Sequence, residues 1–237
     1  NIKNLFSSYQ LTILLRTLWF SLATTAICLF LALPTGFFLA QTSQKSRKLL
    51  LLLIVVPFWT SFLIRVFAWK SLLHPEGALK KILVYLHLVQ EETLLLYNAG
   101  AVLLVMVYTY LPFAILPLYT AAEKFNFHLF EAATDLGATR SQAFFKVFLP
   151  SVRTGILTAF LMVFIPATGA YVIPDIVGGF SNEVLGNKIA QRTFVDRDLP
   201  EASALSLSLA LAVLLPMLAV LWLQAKSDPK IVKKDRR

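Results

Sequence analysis

Glu131, Ala132, Ala133, Asp135 and Gly137 are the part of this sequence whose residue types and spacing most clearly imply chemistry. They form a charged, helix-forming stretch between two long apolar runs. Glu131 can accept charge-assisted hydrogen bonds from an arginine or lysine of another protein, and Ala132 and Ala133 let a second surface approach closely. Gly137 supplies the freedom for a sharp turn before a second helix that starts near Ser141. Asn126 is placed to cap the helix carrying His128 and Glu131. The expected object is a knob of two short helices, suited to being gripped by a partner. An ordinary amphipathic interfacial helix would account for Phe125, Phe127, Leu129 and Phe130, but not for Gly137 and the later Leu149-Pro150 at this spacing.

A second set of residues could hold a cation. Asp175 stands at the outer end of an apolar run beside Tyr171, and Trp59, Tyr108 and Tyr110 could line neighbouring helices. A cation over an aromatic face gains about 0.5–2 kcal/mol. A structural role competes at each position, since Trp and Tyr also mark helix ends at membrane interfaces, and Asp175 could instead form a salt bridge with Arg65 or Arg192. Enzyme chemistry is poorly represented. His74, His87 and His128 are scattered, with no HExxH, paired cysteines, GxSxG or phosphate-binding glycine loop, so no catalytic or metal set is expected.

The elements that must position these residues follow from composition: 57% hydrophobic, 15% charged and a mean hydropathy of +0.71 over 237 residues. Stretches free of Asp, Glu, Lys and Arg run over 17–44, 49–64, 93–122, 154–174 and 202–225. A helix crosses the hydrocarbon core in about 20 residues. The second run reaches that length only by extending to Trp69, with Arg65 snorkelling toward the interface. The runs are continuously apolar, where a barrel strand would alternate, so the expected fold is all-α: a polytopic bundle of five membrane helices in one domain over 1–237. Prolines at 34, 57, 112, 117, 166 and 216 are expected to fit helices together more than to gate them.

Basic residues in short loops mark the cytoplasmic side. Lys45, Arg47 and Lys48, the loop with Lys124, Arg140, Lys146 and Arg153, and the tail from Lys226 to Arg237 carry 13 of the 22 Lys and Arg. This density puts the loop over 119–153 and the C-terminus in the cytoplasm. An odd helix count then puts Asn1 outside it, and the absence of an initial Met suggests an earlier membrane helix. Cys28 lies within an apolar run and reads as a small buried residue. The net charge of +9 flanks membrane runs without an aromatic-interleaved basic motif, so anionic lipid headgroups explain it better than nucleic acid.

The sequence resembles a permease subunit of a type I ABC importer. Glu131-Ala132-Ala133, Gly137 and Leu149-Pro150 match the spacing of that family's EAA coupling loop. The run from Pro57 to Arg65, Leu111-Pro112-Phe113 with Pro117-Leu118-Tyr119, Asp175 to Gly179, Gly186-Asn187 and Arg197 to Pro200 look like signatures of the spermidine and putrescine branch, in matching order. The chain departs at Leu199, where the branch often has Trp. The resemblance covers essentially the whole chain after the family's first helix. It implies a second homologous permease, two ATPase subunits that bind the ATP and Mg, and an extracytoplasmic polyamine-binding protein received by the loops over 75–92 and 176–201. This subunit itself would bind no cofactor and would work by alternating access in the bacterial inner membrane. Permeases for ferric iron, thiamine, sulfate or phosphonate would share the coupling loop, while an intramembrane enzyme or a passive channel would not need it.

Overall fold

The computed structural model describes residues 8–227, so the expected positions of Asn1 and of the basic tail beyond Lys226 lie outside the described residues. Among the described residues the regular structure is all helical, with no strand. The long helices are α1 (Ser8–Gln41), α5 (Ala99–Glu123) and α11 (Leu199–Ser227). Between α1 and α5 lie α2 (Gln44–Val55), a 3-10 turn at Val56–Trp59, α3 (Phe62–Leu73) and α4 (Ala78–Tyr85). After α5 come α6 (His128–Asp135), α7 (Arg140–Ala143), a π turn at Phe144–Phe148, α8 (Leu149–Ser151) and α9 (Arg153–Thr168). A folded segment with a π turn at Pro174–Gly178, then α10 (Leu185–Ala190), leads to α11.

Lipid offers no hydrophobic drive for helix to meet helix, so close packing and satisfied polar groups must hold the bundle. Helix α1 presents Ser21, Thr25, Cys28, Ala32 and Gly36 every three or four residues, all buried. Gly36 lets the α5 backbone in closely: a Cβ there would sit 3.2 Å from the Tyr119 amide nitrogen. Helix α9 answers with Gly155, Ala159, Val163 and Ala167 at four-residue spacing, also buried. The hydroxyls along α1 need no outside partner, because Thr17, Ser21 and Thr25 each donate to the carbonyl four residues earlier at 2.7–2.8 Å. The Cys28 thiol donates to the Val107 carbonyl at 3.7 Å, which fits its reading as a small buried residue.

Polar and packing contacts tie the bundle together at both ends. At one end Arg47 pairs with Glu123 at 3.2 Å, and α6 to α8 connect α5 to α9. At the far end Thr17 Oγ1 accepts from the Leu185 amide at 2.8 Å, the Tyr97 amide donates to the Val177 carbonyl at 2.9 Å, and α3 packs on the Pro174–Gly178 turn. Three helices are long and apolar enough to cross a membrane alone, over Gln10–Gln41, Ala99–Glu123 and Leu199–Trp222. Two further helix pairs are apolar and long enough only when taken together, each bent at a break. Gln44–Trp59 meets Phe62–Tyr85 at 91°, and Arg140–Ser151 meets Arg153–Thr168 at 71°.

The second apolar run is therefore not a straight helix extended to Trp69. The cause is local: Pro57 lacks an amide hydrogen, and the chain tightens into a 3-10 turn that ends at extended Thr60. Pro34, Pro112, Pro117, Pro166 and Pro216 lie inside uninterrupted helices. The Arg65 guanidinium lies over the Phe58 ring at 4.7 Å.

The tightest point of the core is a testable one. A Cβ on Gly155 would collide with the Ala121 Cβ and lie 3.2 Å from the Pro117 carbonyl oxygen. Gly155→Val is expected to cost about 1–3 kcal/mol by overpacking, read as a lower thermal midpoint in detergent.

Candidate functional site

The residues over 124–153 build the expected knob. Asn126 Oδ1 accepts from the His128 amide at 3.1 Å, holding the start of α6 as the sequence suggested. The helix ends in a Schellman arrangement: the Ala138 amide donates to the Ala133 carbonyl and the Gly137 amide to the Thr134 carbonyl, both at 3.0 Å. Gly137 has φ +91, a backbone region in which a side chain is strained. Helix α7 then opens with a capping box between Thr139 and Gln142. Tyr119 to Glu123, counted in the loop from sequence, are the last turn of α5.

Glu131, Ala132 and Asp135 are exposed, and Ala133 is half-buried. The Glu131 carboxylate meets His128 Nδ1 at 3.1 Å with both side chains open to a partner. Leu136, at the tip beside Gly137, is 89% exposed, an apolar contact point that the sequence reading did not single out. Its position just past the last helical residue was the available signal.

The phenylalanines give the knob its mechanical character. Phe37, near the end of α1, packs against Phe127, Phe130, Phe144 and Phe148 with ring centroids 4.7–5.8 Å apart. Phe125 adds contacts to Phe127 and Phe148. The π turn at Phe144–Phe148 widens the helix by one residue, and Phe148 is buried with Ala122 and Val152. The apolar residues that an interfacial helix would spread on lipid are thus turned onto the bundle, with Leu129 alone of the four left exposed. Aromatic pairs contribute roughly 0.5–1.5 kcal/mol each beyond area burial. The knob is fixed to α1, α5 and α9 together. Phe37 lies some ninety residues from its partners, so no local pattern could have revealed it.

At the far end the structure gathers Tyr171, Asp175 and Asn187. The buried Asn187 donates from Nδ2 to the Tyr171 carbonyl at 3.0 Å and to Asp175 Oδ1 at 3.4 Å. Its Oδ1 accepts from the Val184 amide at 3.2 Å, so two backbone groups hold the amide whose Nδ2 reaches Asp175. The salt bridges considered for Asp175 do not form. Arg192 pairs instead with Asp196 at 3.0 Å and Glu201 at 3.2 Å, and Arg65 faces Phe58. The Asp175 carboxylate remains exposed, oriented by a neutral amide.

The other aromatic candidates are not at this cluster. Tyr110 is buried, with its hydroxyl donating to the Pro166 carbonyl at 3.3 Å, and reads as a tie between α5 and α9. Tyr108 packs edge-on against Trp69 at 5.3 Å. Trp59 is 78% exposed beside the break in the second pass. The aromatic candidates are therefore not gathered at one place: Tyr171 lies beside Asp175 at the far end, and Trp59 lies beside the break in the second pass.

Removing the central ring tests the knob's attachment. Phe37→Ala is expected to destabilise the knob's packing by about 2–3 kcal/mol, toward the low side for an aromatic truncation because Phe37 is half-buried. Protease cleavage between α6 and α7 should accelerate while cleavage in the outer loops stays unchanged; equal acceleration at both places would mean global loosening.

Comparison with known proteins agrees with this geometry. A family described as "Binding-protein-dependent transport system inner membrane component" matches residues 32–233. The spermidine/putrescine transport system permease protein PotB of Escherichia coli K12 is 37% identical over 222 residues, 94% of this chain and 80% of that protein. PotB of Haemophilus influenzae is 37% identical over 225 residues, covering 95% and 78%. The inner membrane ABC transporter permease protein YdcU of Escherichia coli is 31% identical over 220 residues, covering 87% and 70%. A chain in the crystal structure of a bacterial alginate ABC transporter with its pentasaccharide-bound periplasmic protein superposes with a TM-score of 0.71 at 16% identity, covering 92% of this chain and 79% of that one. A membrane helix bundle with an exposed helix pair welded to its core, matched over most of its length by these relatives, belongs to the family of binding-protein-dependent transport system inner membrane components.

Proposed function

We propose that this chain is one of two paired permease subunits of an ABC importer that carries polyamines across the bacterial inner membrane. The observation that carries the mechanism is the aromatic cluster around Phe37, which joins an exposed helix pair to three membrane passes. A force applied to α6 by a closing partner cannot be absorbed by a flexible tether; it must displace α1, α5 and α9. The polyamine assignment is supported by the likeness to PotB proteins and by the exposed carboxylate of Asp175 at the far end.

In this reading α6 inserts into a groove of an ATPase subunit as a helix-in-groove contact, with Glu131 taking charge-assisted bonds and Ala132 allowing close approach. ATP and Mg are held by the two ATPase subunits, and hydrolysis occurs there. The knob and C-terminus face the cytoplasm, while the segments over 75–92 and 176–201 receive the substrate-binding protein. With ATP bound the paired permeases open outward and take the polyamine; after hydrolysis they open inward. Asp175 lies at the outer end of the pathway, where its charge offsets an alkylammonium group and Asn187 holds it in place.

Uptake of radiolabelled spermidine, putrescine and thiamine tests the substrate, using cells deleted for this permease and restored with the full operon. Polyamine uptake should disappear and return. Loss of another solute's import with polyamine uptake intact would leave the importer and overturn the substrate. Glu131→Lys should insert normally yet abolish ATP-driven uptake, because it reverses charge at the groove; transport at the wild-type rate would sink the coupling role. Asp175→Asn should lower polyamine uptake several-fold with complex yield unchanged, whereas parallel losses would mark Asp175 as structural.

A further inference from the structure

Among the described residues Arg65 has no counter-charge. Its guanidinium lies over Phe58 at 4.7 Å, and its Nε is buried without a hydrogen-bond acceptor among the described residues. Phe58 packs edge-on against Phe113 of α5 at 5.4 Å, which fixes the depth of the group. Phe113 is about 15 Å along the helix from Glu123 and about 21 Å from Ala99, so Arg65 sits near the middle of the pass. An arginine at that depth is costly unless paired.

None of the described residues supplies the pair. Their Asp and Glu fall in three segments, 76–92, 123–135 and 175–201, all in connections, in short helices or at the ends of long ones. Arg47, Lys188 and Arg192, by contrast, all find carboxylates. The surface around Arg65 is apolar and open: Trp59, Leu63, Ile64 and Phe67 are all exposed. A headgroup is too far away for a guanidinium held on Phe58, and the proposed substrate is itself a cation that Arg65 would repel. What fits is another membrane protein with an acidic side chain at mid-depth.

We propose that the face formed by the bend at Val56–Trp59 and the start of α3 docks the second permease, and that Arg65 pairs there with a membrane-embedded carboxylate of that subunit. The proposal rests on the paired-permease reading above. It also gives the 91° break in the second pass a purpose: the turn at Pro57 places Phe58 behind the guanidinium while Trp59 and Ile64 stay open to the partner. An ion pair at this depth, screened by apolar residues, would fix the register of the two subunits without presenting net positive charge to a passing cation.

The test uses the full importer in membranes, with a tag on the second permease. Arg65→Glu is expected to lower the amount of this chain retained roughly ten-fold or more, and Arg65→Lys much less. Selection for restored polyamine uptake in the Arg65→Glu background should return changes of a membrane-embedded Asp or Glu of the second permease to Lys or Arg. Such compensation cannot arise from misfolding. Wild-type retention of Arg65→Glu, or compensating changes confined to this chain, would overturn the pairing. So would retention of the second permease with loss of copurified anionic lipid from Arg65→Met, which would make a lipid the occupant. If the wild-type chain retains no second permease at all, the importer reading fails and the Arg65 pairing falls with it.

Discussion

Close approach of α1, α5 and α9 through small side chains is the constraint on which everything else here depends. In water these helices would be driven together by burying leucine; in lipid that drive is absent, and contact must come from backbone proximity and satisfied polar groups. Gly36, Ala32 and Cys28 on one helix and Gly155 and Ala159 on another bring the three axes close enough for Thr24 to reach Met106 and Tyr110 to reach Pro166. Residues that would make a good soluble core are placed outward instead, as Phe30, Leu207 and Leu215 are.

That tight core makes the knob useful. A helix pair hung from a loose bundle would only wobble when pushed. Here the Phe37 cluster sits where α1 ends, α5 ends and α9 begins, so a displacement of α6 is delivered to three passes at their shared end. The far ends of the same passes carry a different chemistry: Arg16 on the Glu183 carbonyl, Arg192 between Asp196 and Glu201, and Asn187 beside Asp175. Rigid aromatic packing at one end and adjustable polar contacts at the other suit a bundle driven from one side and opening on both.

The broken second pass departs most from a simple bundle. Its turn at Pro57 exposes Trp59 and leaves Arg65 against Phe58, an arrangement that costs energy in an isolated subunit and makes sense in an assembly. A half-buried arginine among the exposed Trp59, Leu63, Ile64 and Phe67 marks that face.

The sequence by itself determined the membrane class, the apolar runs and the knob. Apolar run length is a one-dimensional property, and the Asn126, Gly137 and Leu149-Pro150 signals act within a few residues of the turns they cause. It also showed the polar residues that gather at the far end, though not their partners. Only the tertiary structure decided that Asp175 meets Asn187 and neither Arg65 nor Arg192, that Tyr110 is a tie between helices, and that Phe37 anchors a knob ninety residues away. Those outcomes depend on which faces of distant helices meet. In a bundle whose runs are apolar on every side, no hydrophobic periodicity marks that face in advance; the small-residue spacing and the few buried hydroxyls choose it once the chain has folded.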